Sequence, residues 1–503
     1  YDFDRVTSFL GDWGPFQRTV VLLLSLSTIP SGYLGMISVF ISRTLDFRCK
    51  ASVDPSNRSS AGTCSRYQVD GNWTQGPGLS NDTEPCLDGW DFGNDTHGST
   101  IVTEWDLVCE DAWKVPFSTS LFFFGVMIGI FICGGLSDRF GRKPVLFIFL
   151  AVHGVTALVQ AISVSWVMFC VLNWLKGASH SYSVSIILGS ELLPKASRVV
   201  FSTLAICLGY CVGYMLLPLS AYFLRGWRML LVVSAILSFL QMPTWWLIPE
   251  SPRWLLHQGR VDEAELIIRN AARRNKVPAP EVIFRAVESF HHMDENSGEK
   301  RTYNYTDLVR TTNIRNITVL SSSIWMCITF VYYGLSLNTS NLNGNIYLNC
   351  FFSATIDTFT YVVLWLLADR VPRPALLSAA MMYSGFTLLI LKLIPEDNLV
   401  ALQVLSLVAK FGATGAFTFI CLIVTELMPT VVRNMGVGVG ATSGFLGTII
   451  APYILYTGIY MKSLPFLIFA TVSIAAAFFG MLLPDTRNSK LPDLIREVKP
   501  IRG

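Results

Sequence analysis

Ionisable residues stand inside segments that are otherwise apolar, and these are the side chains that could do chemistry. Asp357 and Lys410 each interrupt an apolar segment, and Lys176 and His180 share an earlier one. Burying a charge in a membrane is costly, so such residues usually pair with one another or line a path for ions and solutes. Two simpler interpretations stay open. Lys176 could extend its long stem to the membrane surface, and His180 could be hydrogen-bonded at a helix interface.

The composition predicts that membrane helices position these residues. The chain has 503 residues, of which 52% are hydrophobic and 15% are charged, whereas a soluble chain would be about a quarter charged. Its mean hydropathy is +0.47, and a net charge of +3 gives no indication of a nucleic-acid partner. A membrane span needs about 20 apolar residues. The pattern predicts an all-α membrane protein with twelve spans, embedded in lipid, whose two ends lie on the cytoplasmic side.

The apolar and polar segments divide the chain into six parts. Basic loops select the cytoplasmic side, and the long loop after helix six is rich in arginine and therefore internal. The predicted parts are an N-terminal segment with helix one (1–42), an extracellular loop (43–115), helices two to six (116–249), a central cytoplasmic loop (250–316), a C-terminal six-helix half (317–484) and a cytoplasmic tail (485–503).

The predicted extracellular loop carries the signals of a secreted environment. It contains four cysteines and four Asn-x-Ser/Thr sequons, a combination typical of a glycosylated segment that is tied by disulfides. Four cysteines allow three pairings, and the sequence does not choose among them. A zinc site is the alternative, but the cysteine spacings are long and no histidine pair accompanies them. The residues are Cys49, Cys64, Cys86 and Cys109, and Asn57, Asn72, Asn81 and Asn94.

A charged motif between two apolar segments, Gly134 to Lys143, reads G-G-L-S-D-R-F-G-R-K, and charged patterns recur later in the chain. Glu191-Leu-Leu-Pro followed by Arg198 recurs as Glu426-Leu-Met-Pro followed by Arg433, and both pairs stand 235 positions apart. A repeat of this kind predicts two six-helix halves about a central pathway. We interpret the charges as a gate whose ion pairs are remade as the halves move. The alternatives are static capping of helix ends and a basic turn that only anchors the chain. The predicted gate residues are Asp138, Arg139, Arg142, Glu191, Arg198, Asp369, Arg373, Glu426 and Arg433.

These motifs, together with several longer ones, resemble the organic-ion branch of the major facilitator superfamily over nearly the whole chain. The longer motifs include C-L-D-G-W at 86–90, P-E-S-P-R-W-L at 249–255 and P-T-V-V-R-N-M-G-V-G-V at 429–439. The resemblance is closest to the organic cation/carnitine transporter subfamily, which includes ergothioneine carriers. It implies a polyspecific secondary transporter of the plasma membrane that acts as a monomer, needs no cofactor, and moves small organic cations or zwitterions. An organic anion or a weakly charged amphipathic solute is the alternative.

The resemblance also implies a central substrate site. Its aromatic side chains can hold a quaternary ammonium group by cation–π contact, and Asp357 and Lys410 fall where the family has a carboxylate and a lysine. The alternative is that the aromatic side chains only fill helix interfaces. The predicted site residues are Tyr182, Tyr210, Tyr214, Trp325, Tyr332, Tyr333, Asp357, Lys410, Thr418, Cys421 and Phe445.

Four positions depart from the subfamily. Phe445 stands where carnitine and anion carriers have arginine and cation carriers have aspartate. Ser181 and Ser31 replace asparagines, and Cys421 replaces an aromatic residue. These differences argue against sodium-coupled carnitine uptake in particular and leave sodium coupling in general open. We expect the site to keep its aromatic character without an ionic charge selector.

Other function classes lack their signatures in this sequence. A channel would need a selectivity filter or charged rings. An enzyme would need a clustered catalytic set, and no G-x-S-x-G, H-E-x-x-H or P-loop pattern occurs. We therefore expect a transporter without enzymatic activity, without a metal site and without ATP-driven pumping.

Overall fold

The computed structural model describes residues 3–50, 63–69, 79–93, 98–284, 305–342, 344–367, 370–395, 398–429, 432–485, 495 and 500–501. Three of the predicted glycosylation sites, Asn57, Asn72 and Asn94, lie outside the described residues, and so does Asp369 of the predicted gate. Asn81 lies on a described strand, but its side chain is outside the description.

Long helical segments dominate the structure and follow the apolar pattern of the sequence. They are α1 (Pro15–Ile41), α2 (Lys114–Phe140), α3 (Arg142–Ala161), α4 (Trp166–Leu192), α5 (Lys195–Phe223), α6 (Trp227–Phe239), α7 (Thr312–Leu337), α8 (Ile346–Leu367), α9 (Arg373–Leu393), α10 (Leu399–Leu427), α11 (Arg433–Tyr456) and α12 (Leu464–Met481). Within the described residues, eleven stretches are long and apolar enough to cross a membrane. The segment outside that set is α4, which consists of two helices of 13 and 11 residues.

Three of these segments are interrupted. The first, α1, consists of Pro15–Leu26, Ile29–Gly35 and Ser38–Ile41, and α4 consists of Trp166–Ala178 and Tyr182–Leu192. In α5 a π-helical turn at Phe201–Ala205 separates Lys195–Val200 from Ile206–Phe223. All three segments belong to the first half of the chain.

Glycines allow the backbones of neighbouring helices to approach closely. A Cβ atom at Gly177 of α4 would lie 2.2 Å from the carbonyl oxygen of Phe122 on α2. A Cβ atom at Gly32 of α1 would lie 1.9 Å from the carbonyl oxygen of Tyr210 on α5. No side chain fits at such distances, so these small residues fix the contacts of α2 with α4 and of α1 with α5.

The segment between α1 and α2 forms a small cap. It contains two antiparallel strand pairs, β1 (Phe47–Cys49) with β4 (Trp90–Phe92), and β2 (Ser65–Val69) with β3 (Leu79–Pro85). The pairing that the sequence left open is Cys49–Cys86 and Cys64–Cys109, with Cα atoms 5.5 and 5.7 Å apart. The second disulfide joins the β2–β3 hairpin to the residues just before α2. We call this end of the molecule the cap side.

Short helices accompany the long ones. The predicted amphipathic segment at 261–272 forms a helix, Val261–Asn275, whose apolar face is buried. Asn275 holds it against the start of α1, since its side-chain nitrogen donates to the carbonyl oxygen of Leu10 at 3.0 Å and its side-chain oxygen accepts from the amide of Phe16 at 2.9 Å. The other short helices are Phe3–Val6, Ser8–Leu10, Ile101–Glu104, Cys109–Asp111, Met242–Trp246, Pro252–His257, Asp307–Arg310, Asn338–Ser340 and Thr457–Ile459.

The two groups of six segments, α1–α6 and α7–α12, meet near the cap side. The hydroxyl of Ser120 on α2 donates to the carbonyl oxygen of Ile449 on α11 at 2.7 Å. The rings of Phe40, at the end of α1, and Tyr347, at the start of α8, stack with their centroids 5.6 Å apart. These contacts join the first group of helices to the second near the cap.

Candidate functional site

A buried ion pair occupies the centre of the second group of helices. The ammonium nitrogen of Lys410 on α10 lies 2.9 Å from Oδ2 of Asp357 on α8, and each side chain is 1% exposed. The spacing of the sequence placed both residues inside helices, and the structure brings them together. Because neither charge has access to water, each depends on the other and on neighbouring polar groups.

Hydroxyl groups complete the hydrogen bonding of this pair. Tyr332 donates to Oδ2 of Asp357 at 2.9 Å, and the hydroxyl of Thr414 lies 2.7 Å from Oδ1. Lys410 donates to the hydroxyl of Ser353 at 2.6 Å and to its carbonyl oxygen at 3.3 Å. A buried pair with satisfied oxygens and protons is stable, but it becomes costly if one partner is removed.

The same network connects the two halves. Tyr214 on α5 donates to the hydroxyl of Ser353 at 2.9 Å, and the Lys410 ammonium lies 4.8 Å from the centre of the Tyr214 ring. The ammonium also lies 5.3 Å from the ring of Tyr332. Aromatic rings therefore already hold a cation at this position, one supplied by the protein itself.

The remaining predicted tyrosines take part in three further ring contacts. Tyr182 on α4 and Tyr210 on α5 meet edge to face with centroids 5.9 Å apart. Tyr333 lies against Tyr332 at 5.1 Å and against Phe123 of α2, also at 5.1 Å. These ring contacts involve tyrosines of both halves, since α4 and α5 belong to the first half and α7 belongs to the second.

One face of α10 runs from the buried pair into an accessible space. Lys410, Thr414, Thr418 and Cys421 recur every three or four residues and therefore share one face of the helix. Lys410 is buried, Thr418 is half-buried, and Cys421 is exposed. Because α11 ends at the cap side, the antiparallel α10 ends on the opposite side. The space beside this face therefore opens away from the cap.

Two predicted site residues lie apart from the ion pair. Trp325 on α7 packs against α11, where Cβ atoms at Gly440 and Gly444 would lie 2.6 and 2.9 Å from its ring. Its position matches the alternative interpretation, in which an aromatic ring fills a helix interface. Phe445 follows Gly444 on α11 and is half-buried against the apolar core.

Lys176 and His180 belong to a separate polar cluster in the first half. Lys176 is fully buried and donates to the side-chain oxygen of Gln160 at 2.6 Å, so it does not reach the membrane surface. Its ammonium lies 5.9 Å from the ring of Phe122. The His180 ring lies between the rings of Phe122 and Tyr182, at 6.5 and 6.2 Å. The cluster thus adjoins the aromatic site through Tyr182.

Three predicted gate residues of the first half, Asp138, Arg142 and Glu191, form one network at the end away from the cap. The Arg142 guanidinium contacts the Glu191 carboxylate at 3.1 Å and Asp138 at 2.7 Å. Arg139 is exposed and packs over the ring of Phe140, so it does not enter the network. The ion pair between Arg142 and Glu191 joins the start of α3 to the end of α4.

The second half repeats this arrangement. Arg373, at the start of α9, forms an ion pair with Glu426, at the end of α10. Arg198 donates to the carbonyl oxygen of Leu193 at 3.0 Å, and Arg433 donates to that of Met428 at 3.3 Å. Both donors and both acceptors stand 235 positions apart, so the repeat in the sequence is also a repeat of contacts. Each ion pair joins two loops of the same half.

Sequence reasoning missed three residues that take part in these networks. Ser353 and Thr414 each lie four positions from a charged residue, Asp357 and Lys410 respectively, and this spacing on a helix could have identified them. Glu250, in the motif P-E-S-P-R, accepts from the backbone amides of Arg142 and Lys143 at 3.0 and 3.1 Å. A carboxylate at this position neutralises the positive end of α3.

Comparisons with known proteins decide the family. The model of the family described as "Sugar (and other) transporter" matches residues 31–495. The chain is 44% identical to the human protein named "Organic cation/carnitine transporter 2" over 531 residues, which cover 100% of this chain and 95% of that protein. It is 42% identical to mouse "Solute carrier family 22 member 4", with the same coverage.

This chain belongs to the organic-ion solute carriers of the major facilitator superfamily. It is also 32% identical to the Drosophila melanogaster "Organic cation transporter protein", over 98% of this chain and 94% of that one. The inward-open structure of the E. coli xylose transporter has the same fold, with a TM-score of 0.66 at 16% identity and coverage of 96% of this chain and 100% of that one. The expectation of a major facilitator transporter rather than an enzyme is therefore confirmed.

Proposed function

We propose that this transporter moves small organic cations or zwitterions across the plasma membrane by alternating access, with broad specificity. The observation that carries the proposal is the buried pair Asp357–Lys410 among the rings of Tyr214 and Tyr332, with a hydrogen bond to the other half through Ser353. A cationic solute competes with Lys410 for the carboxylate and for the aromatic rings. The names of the related proteins, which refer to organic cations and carnitine, support this class of solute.

The conformation supports alternating access. The contacts of Ser120 with Ile449 and of Phe40 with Tyr347 join the halves towards the cap side, and the face of α10 that carries Lys410 becomes accessible on the other side. Release of the contacts between Ser120 and Ile449 and between Phe40 and Tyr347 opens the cap side. The ion pairs Arg142–Glu191 and Arg373–Glu426 act inside each half, where they fix the loops that meet when the opposite side closes.

The membrane arrangement is part of the proposal. The divided α4 crosses the bilayer as a twelfth span, the cap is extracellular, and both ends of the chain are cytoplasmic. Its disulfides are typical of an oxidising compartment. The protein acts as a monomer, and the departures at Ser31 and Phe445 argue against sodium-coupled carnitine uptake, while sodium coupling in general stays open.

An organic anion is the second candidate. Lys410 and Lys176 are buried cations, and release of Lys410 from Asp357 would provide an anion site beside the same rings. In this candidate the solute competes with Asp357 for Lys410, whereas in the first candidate it competes with Lys410 for Asp357.

One experiment tests both candidates. Purified protein in liposomes is loaded with unlabelled solute, and entry of labelled trimethylammonium cations, zwitterions or aromatic carboxylates is followed with and without sodium. A carrier of the proposed kind accelerates uptake of cations or zwitterions when the same solute is inside. Accelerated uptake of carboxylates alone would favour the anion candidate, and uptake that is independent of internal solute would contradict a carrier.

A further inference from the structure

A large cavity lies between the cap and the ends of the helices, away from the Asp357–Lys410 pair. Its volume is about 1080 Å³. The residues just after α1 contribute Ser42 and Arg43, the cap contributes Trp90, and α11 and the following residues contribute Tyr456 and Tyr460. Both disulfides border it through Cys64, Cys86 and Cys109, so the roof of the cavity is covalently fixed to its walls.

Two hydrogen-bond donors in the cavity wall lack an acceptor. Among the described residues, neither Nη1 of Arg43 nor Nε1 of Trp90 has a hydrogen-bond partner, although both atoms are buried. Buried donors are nearly always satisfied, and each exception needs an explanation. Both side chains belong to the wall of the same cavity, and one of them is a guanidinium group, so the wall favours an occupant that carries negative charge.

We propose that this cavity is a second solute site, which binds a small organic molecule through its carboxylate. The carboxylate accepts from Arg43 and from Trp90, and charge-assisted hydrogen bonds of this kind are about twice as strong as neutral ones. The rings of Trp90 and Tyr456 provide a wall for the rest of the molecule, including a quaternary ammonium group. Glu110, which is exposed and also lines the cavity, adds a negative charge to the wall that can attract such a group.

The position of the cavity gives the site its role. Residues from both halves line it, because Arg43 belongs to the first half and Tyr456 to the second. A solute bound here lies on the cap side of the contacts that close the path to Asp357 and Lys410. We infer that a solute binds in this cavity before it reaches Asp357 and Lys410. This order rests on the proposed function, whereas the binding chemistry of the cavity does not.

The test measures occupancy of the cavity directly. Ser42→Cys places a thiol in the wall, and its rate of modification by a thiol reagent is followed in purified protein by peptide mass spectrometry. Trimethylglycine and choline are the two probes, because they share the trimethylammonium group and differ in carboxylate against hydroxyl. We expect trimethylglycine to slow modification at a concentration about ten-fold lower than choline, as one charge-assisted hydrogen bond predicts.

Matched variants assign that difference to the two donors. Arg43→Gln in the Ser42→Cys protein should abolish the preference for trimethylglycine, and Trp90→Phe should reduce it. Arg48→Gln, on an exposed residue of β1 outside the cavity, removes the same charge and should leave the preference intact. If Arg43→Gln does not fold, Trp90→Phe still tests the site.

Equal protection by both probes, or protection that survives Arg43→Gln, would overturn the assignment. The proposed function fails separately from it. Protection of the thiol without uptake of any solute leaves the cavity site standing, and uptake without protection removes only the cavity site.

Discussion

Loss of one partner from the Asp357–Lys410 pair should destabilise the protein far more than loss of both. Lys410→Met leaves the Asp357 carboxylate buried with Tyr332 and Thr414 as its remaining partners, and Asp357→Asn leaves the ammonium without its counter-ion. Breaking a buried pair by removing one side costs about 3–5 kcal/mol. Because two hydroxyl groups still solvate the carboxylate, we expect Lys410→Met near the lower end of that range.

Thermal unfolding of purified protein measures the effect. For a unit the size of one six-helix half, 1 kcal/mol corresponds to about 2–4 °C, so each single variant should lower the unfolding midpoint by roughly 6 °C or more. The double variant Asp357→Asn/Lys410→Met contains no unpaired charge and should recover most of that loss. Thr418→Ala, on the same face of α10 but outside the pair, serves as the control and should change the midpoint little.

The result that refutes this reasoning is additivity. If the double variant loses stability equal to the sum of the two single losses, the two charges do not interact in the way the 2.9 Å contact requires. A wild-type midpoint in both single variants would have the same consequence, because it would mean that neither charge depends on the other.

Three further predictions concern the gate, the selectivity and the cap. Arg142→Ala and Glu426→Ala should each slow turnover several-fold while solute affinity stays nearly constant, because the lost ion pair holds loops rather than solute. Binding and exchange rates measured on the same preparation check this prediction. Weakened binding at normal turnover would contradict it. Phe445→Arg should favour carboxylate-bearing solutes and Phe445→Asp should favour cations, each by about ten-fold if the side chain faces the solute. The measurement is the ratio of cation to carboxylate uptake, normalised to surface expression. An unchanged ratio in both variants would show that Phe445 only packs against the core. Glycans should map by peptide analysis to the cap alone. Asn304 and Asn316 also stand in Asn-x-Thr sequons, but they belong to the predicted central cytoplasmic loop, so a glycan on either one would invalidate the proposed topology. The four expected positions are Asn57, Asn72, Asn81 and Asn94.

The sequence predicted the fold well because its signals are local or repeated. Apolar segments, the 235-residue repeat and the amphipathic helix at 261–275 each arise from spacing along the chain, and each has its counterpart in the structure. The resemblance to a family placed Asp357 and Lys410 in a central site, and the structure shows them in contact.

Other features could not be predicted because they depend on contacts between distant segments. The choice among the three disulfide pairings follows from how the strands of the cap pair. Lys176 looked able to reach the surface, but Gln160, sixteen positions away, holds its ammonium inside the first half. The packing of Trp325 against Gly440 and Gly444 of α11 likewise depends on a contact between distant segments.

The interruptions of α1, α4 and α5 make the two halves mechanically unequal. A helix bends most easily where backbone hydrogen bonds are already missing or displaced, as at a π-helical turn. The interruptions lie in the first half, whereas α7–α12 are each continuous over the described residues, with a proline, Pro452, inside the last turns of α11. The second half can therefore move more nearly as a rigid body, while the helices of the first half can bend. Tyr182 directly follows the break in α4, and Tyr210 follows the π-helical turn of α5. A solute that brings these two rings together therefore acts on residues next to the interruptions of α4 and α5.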